Sequence, residues 1–496
     1  MVINSRTLDA EMEDLKGKTL RGGLAKLCGQ AVIFSLRLGF VMIMARLLNP
    51  EDFGLVAMVT IVTGIYELFA TAGLSSATVQ QFTVTNEQVS ALFWINILVG
   101  AMLGLLCLAT APVFVAFYHE PRLFWVTVAL AAGFVFNGAG VQHSALLQRE
   151  LRYVTLTVIE ILAQLGSIAL GTGLAIAGFG YWALVAASVS LRAIMTLCVW
   201  AATAWIPRKP SQAAGIYSLL RFGGTITLNN LVVYIGYNLE KALIGRFWGA
   251  DALGLYGRAF QLIDIPTSNL NSAVGGVAFS ALSRLQNNPA RFRSYFLKGY
   301  SIVNSMTLPT TIFCALFADE TILVVLGPKW REAATIFRLL APTILVFGII
   351  NPTGWLLQSV GLQGRSLRIA FVIAPLVITA CVIGMPYGPT GVAFAFSAAM
   401  TIWLVPHIVW CLHGTTITPG DLFVAIWRPF VASIAAGTTA FAVVSYFLAS
   451  ESPTLRLLSG AGVMTGLYAW TLLFAMGQKS FYLALVKGLK SSATVA

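Results

Sequence analysis

The stretch Ala45–Ala57, ARLLNPEDFGLVA, recurs as GRFWGADALGLYG at Gly245–Gly257, an offset of 200 residues. Arg46 falls on Arg246, Glu51 on Asp251, and Gly54-Leu55 on Gly254-Leu255. Working outward at the same offset, Leu20, Arg21 and Gly23 fall on Leu220, Arg221 and Gly223. Matches between these points are sparse, but the pairs mark the start and end of one apolar stretch and the beginning of the next. That placement predicts a duplicated unit. Each copy holds six apolar stretches, over residues 20–206 and 220–412. An even number of spans inserts both copies the same way round, so the repeat is parallel, about an axis along the membrane normal.

Composition sets the solvent of those stretches. The chain has 496 residues, 58% hydrophobic and 10% charged, with a mean hydropathy of +0.82. A soluble protein carries roughly 25% charged residues. There is too little charge here to clothe a chain of this length, and a soluble enzyme is excluded. A span needs about 20 apolar residues. About fourteen such stretches begin near residues 24, 53, 91, 123, 154, 181, 222, 252, 299, 333, 369, 389, 429 and 457, each long enough to cross a bilayer. The expected fold is an all-α polytopic membrane protein with three parts. Residues 1–206 and 207–412 form two six-helix bundles, and 413–496 add a helix pair. Two bundles facing each other across a cleft can rock and expose it alternately to each side.

Thirty-one Lys and Arg against 19 Asp and Glu leave a net charge of +12. The basic residues are spread over short loops rather than one face, which argues against nucleic acid and for the positive-inside rule. With the N-terminus in the cytoplasm, the inner connections hold Lys16, Lys18 and Arg21; Arg149 and Arg152; Arg208, Lys209 and Arg221; Arg284, Arg291, Arg293 and Lys298; Arg365 and Arg368; and Lys479, Lys487 and Lys490. The outer ones hold only Arg122, Lys329, Arg331 and Arg456, besides Arg46 and Arg246 at span ends. One inner loop, 74–90, has no Lys or Arg. Both termini are expected in the cytoplasm. The charged N-terminus lacks the apolar core of a signal peptide. The six cysteines form no CxxC pair, the four histidines have no metal spacing, and no P-loop or GxSxG occurs, so neither metal nor cofactor is called for.

Charges within spans carry the functional signal, because an ionisable group in hydrocarbon usually faces a cavity or a partner. Lys26, Gln30 and Arg37 fall on one stripe of the first span. Asn230, Tyr234, Tyr237 and Lys241 do so on the seventh, and at the offset of 200 Gln30 matches Asn230 and Arg37 matches Tyr237. Both repeats thus turn a polar face the same way, as two walls of one cleft would. The cations suit an anionic headgroup: Arg pairs bidentately and Lys as a point charge. Arg37 and Lys241 lie well inside their spans and are the first candidates, followed by Arg258 and Arg192. Arg46 and Arg246, near the outer ends, either join the site or snorkel to the interface. Tyr234 and Tyr237 either stack on sugar rings or pack. Glu67, Glu160, Glu240 and Asp264 are the candidate charge partners or coupling groups. Glu240 is placed to neutralise Arg246 or Lys241, and Glu160 with Gln164 to meet Arg192. Pro266 predicts a kink in the eighth span. Gly100-x-x-x-Gly104 and Gly462-x-x-x-Gly466 predict close helix contacts.

The motif ARLLNPEDFGLVAM, the loop ALLQRELRY (145–153) and NLEKALIGRFWGADALGLYGRAFQL (238–262) resemble those of polysaccharide exporters and lipopolysaccharide O-unit flippases. The colanic acid exporter branch is the nearest in pattern. The wider superfamily also holds lipid II flippases and multidrug and toxin extrusion transporters. The resemblance runs to about residue 412, and Glu240 stands where such proteins often have Asp. It implies movement of an undecaprenyl-diphosphate-linked oligosaccharide across the bacterial inner membrane. A polysaccharide polymerase and co-polymerase are the implied protein partners. Two other classes compete. A small-molecule antiporter of the same fold, exporting amphipathic cations, calls for an acidic cleft. A membrane enzyme of polysaccharide assembly calls for a large external loop, and no loop here exceeds about 20 residues, too few for a domain.

Overall fold

A computed structural model describes residues 28–70, 85–208, 231, 234–480 and 482. They divide into two compact units, one reaching Leu231 and the other formed by the residues after it. Lys26, Asn230, the loop 74–84 and the expected start near 222 lie outside the described residues.

The first unit holds α1 (Cys28–Leu47), α2 (Pro50–Ala70), α3 (Asn86–Tyr118), α4 (Leu123–Arg149), α5 (Tyr153–Ile176) and α6 (Trp182–Thr203), with short turns joining α1 to α2 and each of α3 to α6 to the next. Local chemistry places the ends. Pro50 opens α2 in the first turn, where its missing N–H costs nothing. Thr85 and Gln88 close a capping box on α3. His119, at φ 58°, ends α3 in the left-handed conformation. Arg122 then ties this turn together by pairing with Glu120 at 2.8 Å and with Glu51 of α2 at 2.6 Å. The guanidinium hydrogen bond holds the Glu120 carboxyl below its ordinary range.

Lipid, rather than water, decides which face of each helix is covered. On α3, Leu98, Met102 and Leu105 are 59–65% exposed while Gly100, Gly104 and Cys107 are buried. Apolar side chains point outward and small residues inward, because lipid offers no hydrophobic drive and close packing must hold the bundle. A Cβ on Gly100 would stand 2.6 Å from the Phe134 carbonyl, and one on Gly138 2.6 Å from that of Asn96. The glycines thus let α3 and α4 touch backbone to backbone, as the first small-residue motif predicts. Replacing Gly138 with Leu is expected to cost about 3 kcal/mol or more through overpacking, read as loss of folded protein in the membrane fraction. Normal yield of that variant would refute the close contact. The second motif is a correction: nothing lies within 4 Å of a Cβ at Gly462 or Gly466. Their helix packs instead through Gly460, whose Cβ would meet the Phe317 ring at 2.6 Å.

In the second unit, α7 (Leu239–Arg284), α8 (Pro289–Leu316), α9 (Ala318–Val325), α10 (Ala333–Leu340), α11 (Pro342–Ser359), α12 (Gln363–Gly384), α13 (Gly388–Leu412), α14 (Pro419–Phe447) and α15 (Pro453–Trp470) complete the chain. The additional helix pair α14–α15 belongs to this unit. Chain direction in α7 breaks at Gly249, with φ 83°, and Pro266 lies inside the same helix. Gly249 lies 200 residues after Asn49, in the break between α1 and α2. The two copies of the repeat therefore break at the same position. Each follows the break with a buried Gly-Leu pair, Gly54-Leu55 and Gly254-Leu255.

Ten helices among the described residues are long and apolar enough to cross a membrane, or eleven when α8 and α9, bent by 87°, count as one broken span. Within that count Gln363–Leu412 is a single stretch, although it holds both α12 and α13. The described helices follow the expected order of spans. The ninth begins at Pro289 rather than near 299, because its first turns carry the exposed Arg291, Arg293 and Lys298 outside the apolar stretch.

Candidate functional site: a two-arginine cavity in the first unit

Gln30 and Arg37 are two turns apart on α1, and Glu160 and Gln164 one turn apart on α5. The two stripes meet. Gln30 Nε2 donates to Glu160 Oε2 at 3.4 Å, and Arg37 Nε to Gln164 Oε1 at 3.5 Å. Arg192 of α6 reaches the same space. These side chains line a cavity of about 470 Å³, together with Asn137, Ser144 and Gln148 of α4 and Thr196 of α6. Gly140 keeps α4 close to α6, since a Cβ there would stand 2.8 Å from Thr196 Oγ1. The lining thus holds two guanidinium groups, one carboxylate and a ring of amides and hydroxyls. Such a set suits an anion carrying neighbouring hydroxyl groups.

The two arginines differ in how they are held. Arg37 is exposed to the cavity and makes no ion pair among the described residues; the Gln164 amide positions it. Arg192 pairs with Glu67 of α2, and this corrects the expectation that Glu160 and Gln164 are its partners. The reason is geometric: Gln30 and Arg37 of α1 lie over the Glu160–Gln164 face.

Lys241, the other leading candidate, lies in the second unit and is half-buried. Its Nζ donates to Asn238 Oδ1 at 2.9 Å and to the Tyr237 carbonyl at 3.4 Å, and sits 4.0 Å from the centre of the Phe260 ring. Glu240 Oε1 is 3.9 Å away. The Glu240 carboxylate is buried and takes no hydrogen bond among the described residues, so Lys241 is its charge partner, as one of the two expectations had it. Tyr237 meets Phe347 and Phe396 edge-on, which is packing. Tyr234 is half-buried, and its carbonyl accepts from Asn238 Nδ2 at 2.9 Å. Arg258 is held by the Gln261 amide. Asp264 is exposed, and its main-chain carbonyl takes the Ser268 hydroxyl at 2.8 Å. Arg46 is exposed, and the Arg246 guanidinium lies 6.0 Å from the Phe247 ring centre.

Sequence reasoning missed Asn137, Ser144, Gln148 and Thr196. Their signal was present as polar residues one to two turns apart on apolar helices, but it was uncharged and so went unread. Among the described residues no group of three or more His, Cys, Asp or Glu could hold a metal ion.

A bundle of apolar helices with an arginine-bearing polar hollow defines a multi-pass membrane protein of the transporter class. Residues 43–335 match the polysaccharide biosynthesis protein family, and the chain belongs to that family. It is 28% identical to the teichuronic acid biosynthesis protein TuaB of Bacillus subtilis, over 80% of this chain and 83% of that one. Likewise it is 24% identical to the succinoglycan biosynthesis transport protein ExoT of Rhizobium meliloti, over 90% of each. In fold it is similar to the lipid II flippase MurJ in an inward closed conformation. The TM-score is 0.74 at 14% identity, over 93% of this chain and 100% of that one.

Proposed function

We propose that this protein carries an undecaprenyl-diphosphate-linked oligosaccharide repeat unit from the cytoplasmic to the outer leaflet of the bacterial inner membrane. The observation that supports this most is Arg37, a guanidinium exposed to a polar cavity and making no ion pair among the described residues. A cation within a membrane span that makes no ion pair is costly, so it is retained where an anion comes to it. A diphosphate answers that charge, and the amides and hydroxyls around it answer the first sugar.

Under the positive-inside rule both termini face the cytoplasm. The cavity then opens toward that side, since Gln148 stands beside the end of α4 at Arg149 and Glu160 two turns from the start of α5 at Tyr153. The headgroup crosses by alternating access, with the bundles 1–206 and 207–412 as the moving parts and 413–496 as an added pair, while the polyprenyl tail stays in lipid. Product would pass to a polymerase and co-polymerase. The chain acts as a carrier, not an enzyme. Acidic groups such as Glu160 and Glu240 are the candidates for ion coupling. An exporter of small cations is disfavoured by two arginines in the cavity.

Proteoliposomes holding a fluorescent lipid-linked oligosaccharide in the inner leaflet test the reading. Label should become accessible to an external reagent at a rate set by the protein, and an equal rate in empty liposomes would refute it. Release of sugar from the lipid, or its polymerisation, by the purified chain alone would place it among the enzymes instead.

A further inference from the structure

The polar side chains of α4 fall into two sets. Gln142 and His143 are fully buried, and each has a partner within the protein. Gln142 Oε1 accepts from Asn96 Nδ2 at 3.4 Å, and His143 Nε2 meets the Trp205 carbonyl at 3.3 Å. Asn137, Ser144 and Gln148 instead line the cavity, and their side chains make no hydrogen bond among the described residues. They are spaced i, i+7 and i+11, which places them on one stripe of the helix, about 16 Å long at 1.5 Å per residue. A polar side chain within a membrane span is costly unless something meets it. Three open ones facing one hollow, on a helix whose other polar side chains are partnered, point to an occupant.

Their chemistry names its class. A phosphate only accepts hydrogen bonds and is served by cations, whereas amides and hydroxyls both donate and accept. A ligand that does both, at intervals along its length, is a sugar chain. Its direction follows from depth. A short turn joins the end of α4 at Arg149 to the start of α5 at Tyr153. Counting from there, Gln148 lies one residue in, Ser144 five and Asn137 twelve, while Gln164, which holds Arg37, lies eleven residues in on α5. Asn137 and the group that holds the guanidinium therefore share a level about 16–18 Å from the turn, and Ser144 and Gln148 step back toward it.

We propose that Asn137, Ser144 and Gln148 form a glycan subsite with a fixed direction. The sugar attached to the diphosphate sits at Asn137, and the sugars beyond it run along α4 to Gln148 at the mouth. The proposal rests on the reading that Arg37 takes the diphosphate. Arg37 then holds the anion common to every lipid-linked precursor, and α4 reads the cargo. A site built to hydrogen-bond a hydroxyl discriminates against a ligand that lacks it, because its own polar groups are left unpaired. The same stripe thereby rejects the carrier lipid without its glycan.

The test compares three probes for binding to the full-length purified protein in detergent. They are geranylgeranyl diphosphate, the same lipid carrying one N-acetylglucosamine, and the same lipid carrying a linear trisaccharide of that sugar. One neutral hydrogen bond corresponds to about fivefold in affinity. Wild type should bind the one-sugar probe about fivefold more tightly than the bare lipid, and the three-sugar probe about fivefold more tightly again. Asn137→Leu should abolish the first ratio. Gln148→Leu should keep the first and abolish the second. Unchanged ratios in both variants would mean that water alone serves the stripe, and would overturn the proposal. So would the reverse pattern, or a wild type that gains nothing from either glycan. If Asn137→Leu does not fold, Asn137→Ala reads the same ratio; failure of both to fold makes the residue structural and also overturns it. Should Arg37→Ala bind the bare lipid as tightly as wild type, the carrier reading itself falls, which is a distinguishable result.

Discussion

Arg37→Ala is expected to bring surface polysaccharide to background while the protein still reaches the membrane at normal level. The side chain is exposed to the cavity and its single described bond is to an amide, so removing it leaves no buried charge behind and stability should change little. Function should change greatly. A charge-assisted hydrogen bond to an anion is worth about 1.5–3 kcal/mol, or about 10- to 150-fold in affinity. Arg37→Lys keeps the charge and loses the planar fork, and partial export is expected. Gln164→Leu removes the group that aims the guanidinium, and an intermediate loss should follow. Surface glycan measured at matched protein levels checks the series. Normal export by Arg37→Ala would remove the basis for placing the headgroup in this cavity.

Lys241→Met is expected to act on the protein itself. Glu240 is 2% exposed, and Lys241 is the cation beside it. Taking one partner from a buried pair costs about 3–5 kcal/mol, because the remaining charge has no counter-ion. That is a large share of the stability of most proteins. The single variant should be depleted from the membrane fraction. Combining Glu240→Gln with Lys241→Met should restore the level, since both charges are gone. Export by the restored double variant separates two roles: recovery makes Lys241 a structural counter-ion, and absence of recovery with full protein assigns it to transport. A single variant of normal abundance and melting temperature would refute the pairing.

The two cations looked alike in the sequence, each deep in an apolar stretch and each on a polar stripe. Period and hydropathy read a position along a helix and around it. They do not read what the neighbouring helix brings. Arg37 met an amide, Lys241 met its own neighbour Glu240, and Arg192 met Glu67, 125 residues away in the chain. The last pairing had no local signal. Its nearest clue was Gly133, where a Cβ would lie 3.1 Å from Arg192 Cδ, and a glycine in a membrane helix has too many readings to point to a guanidinium. The same limit separates the two GxxxG motifs, identical in spacing, of which one is a backbone contact and the other faces open space.

What the chain determines alone is the class of solvent, the order of the spans and the duplication. These depend on sums over about twenty residues, where single errors average out. The break at Asn49-Pro50 is local too, since proline disrupts a helix through the backbone itself, whereas the break at Gly249 came from the structure. Tertiary structure alone decided which charges share a hollow and which cancel. An intramembrane ion pair forms between whichever helices happen to adjoin, and adjacency is a property of the packed bundle rather than of any segment within it.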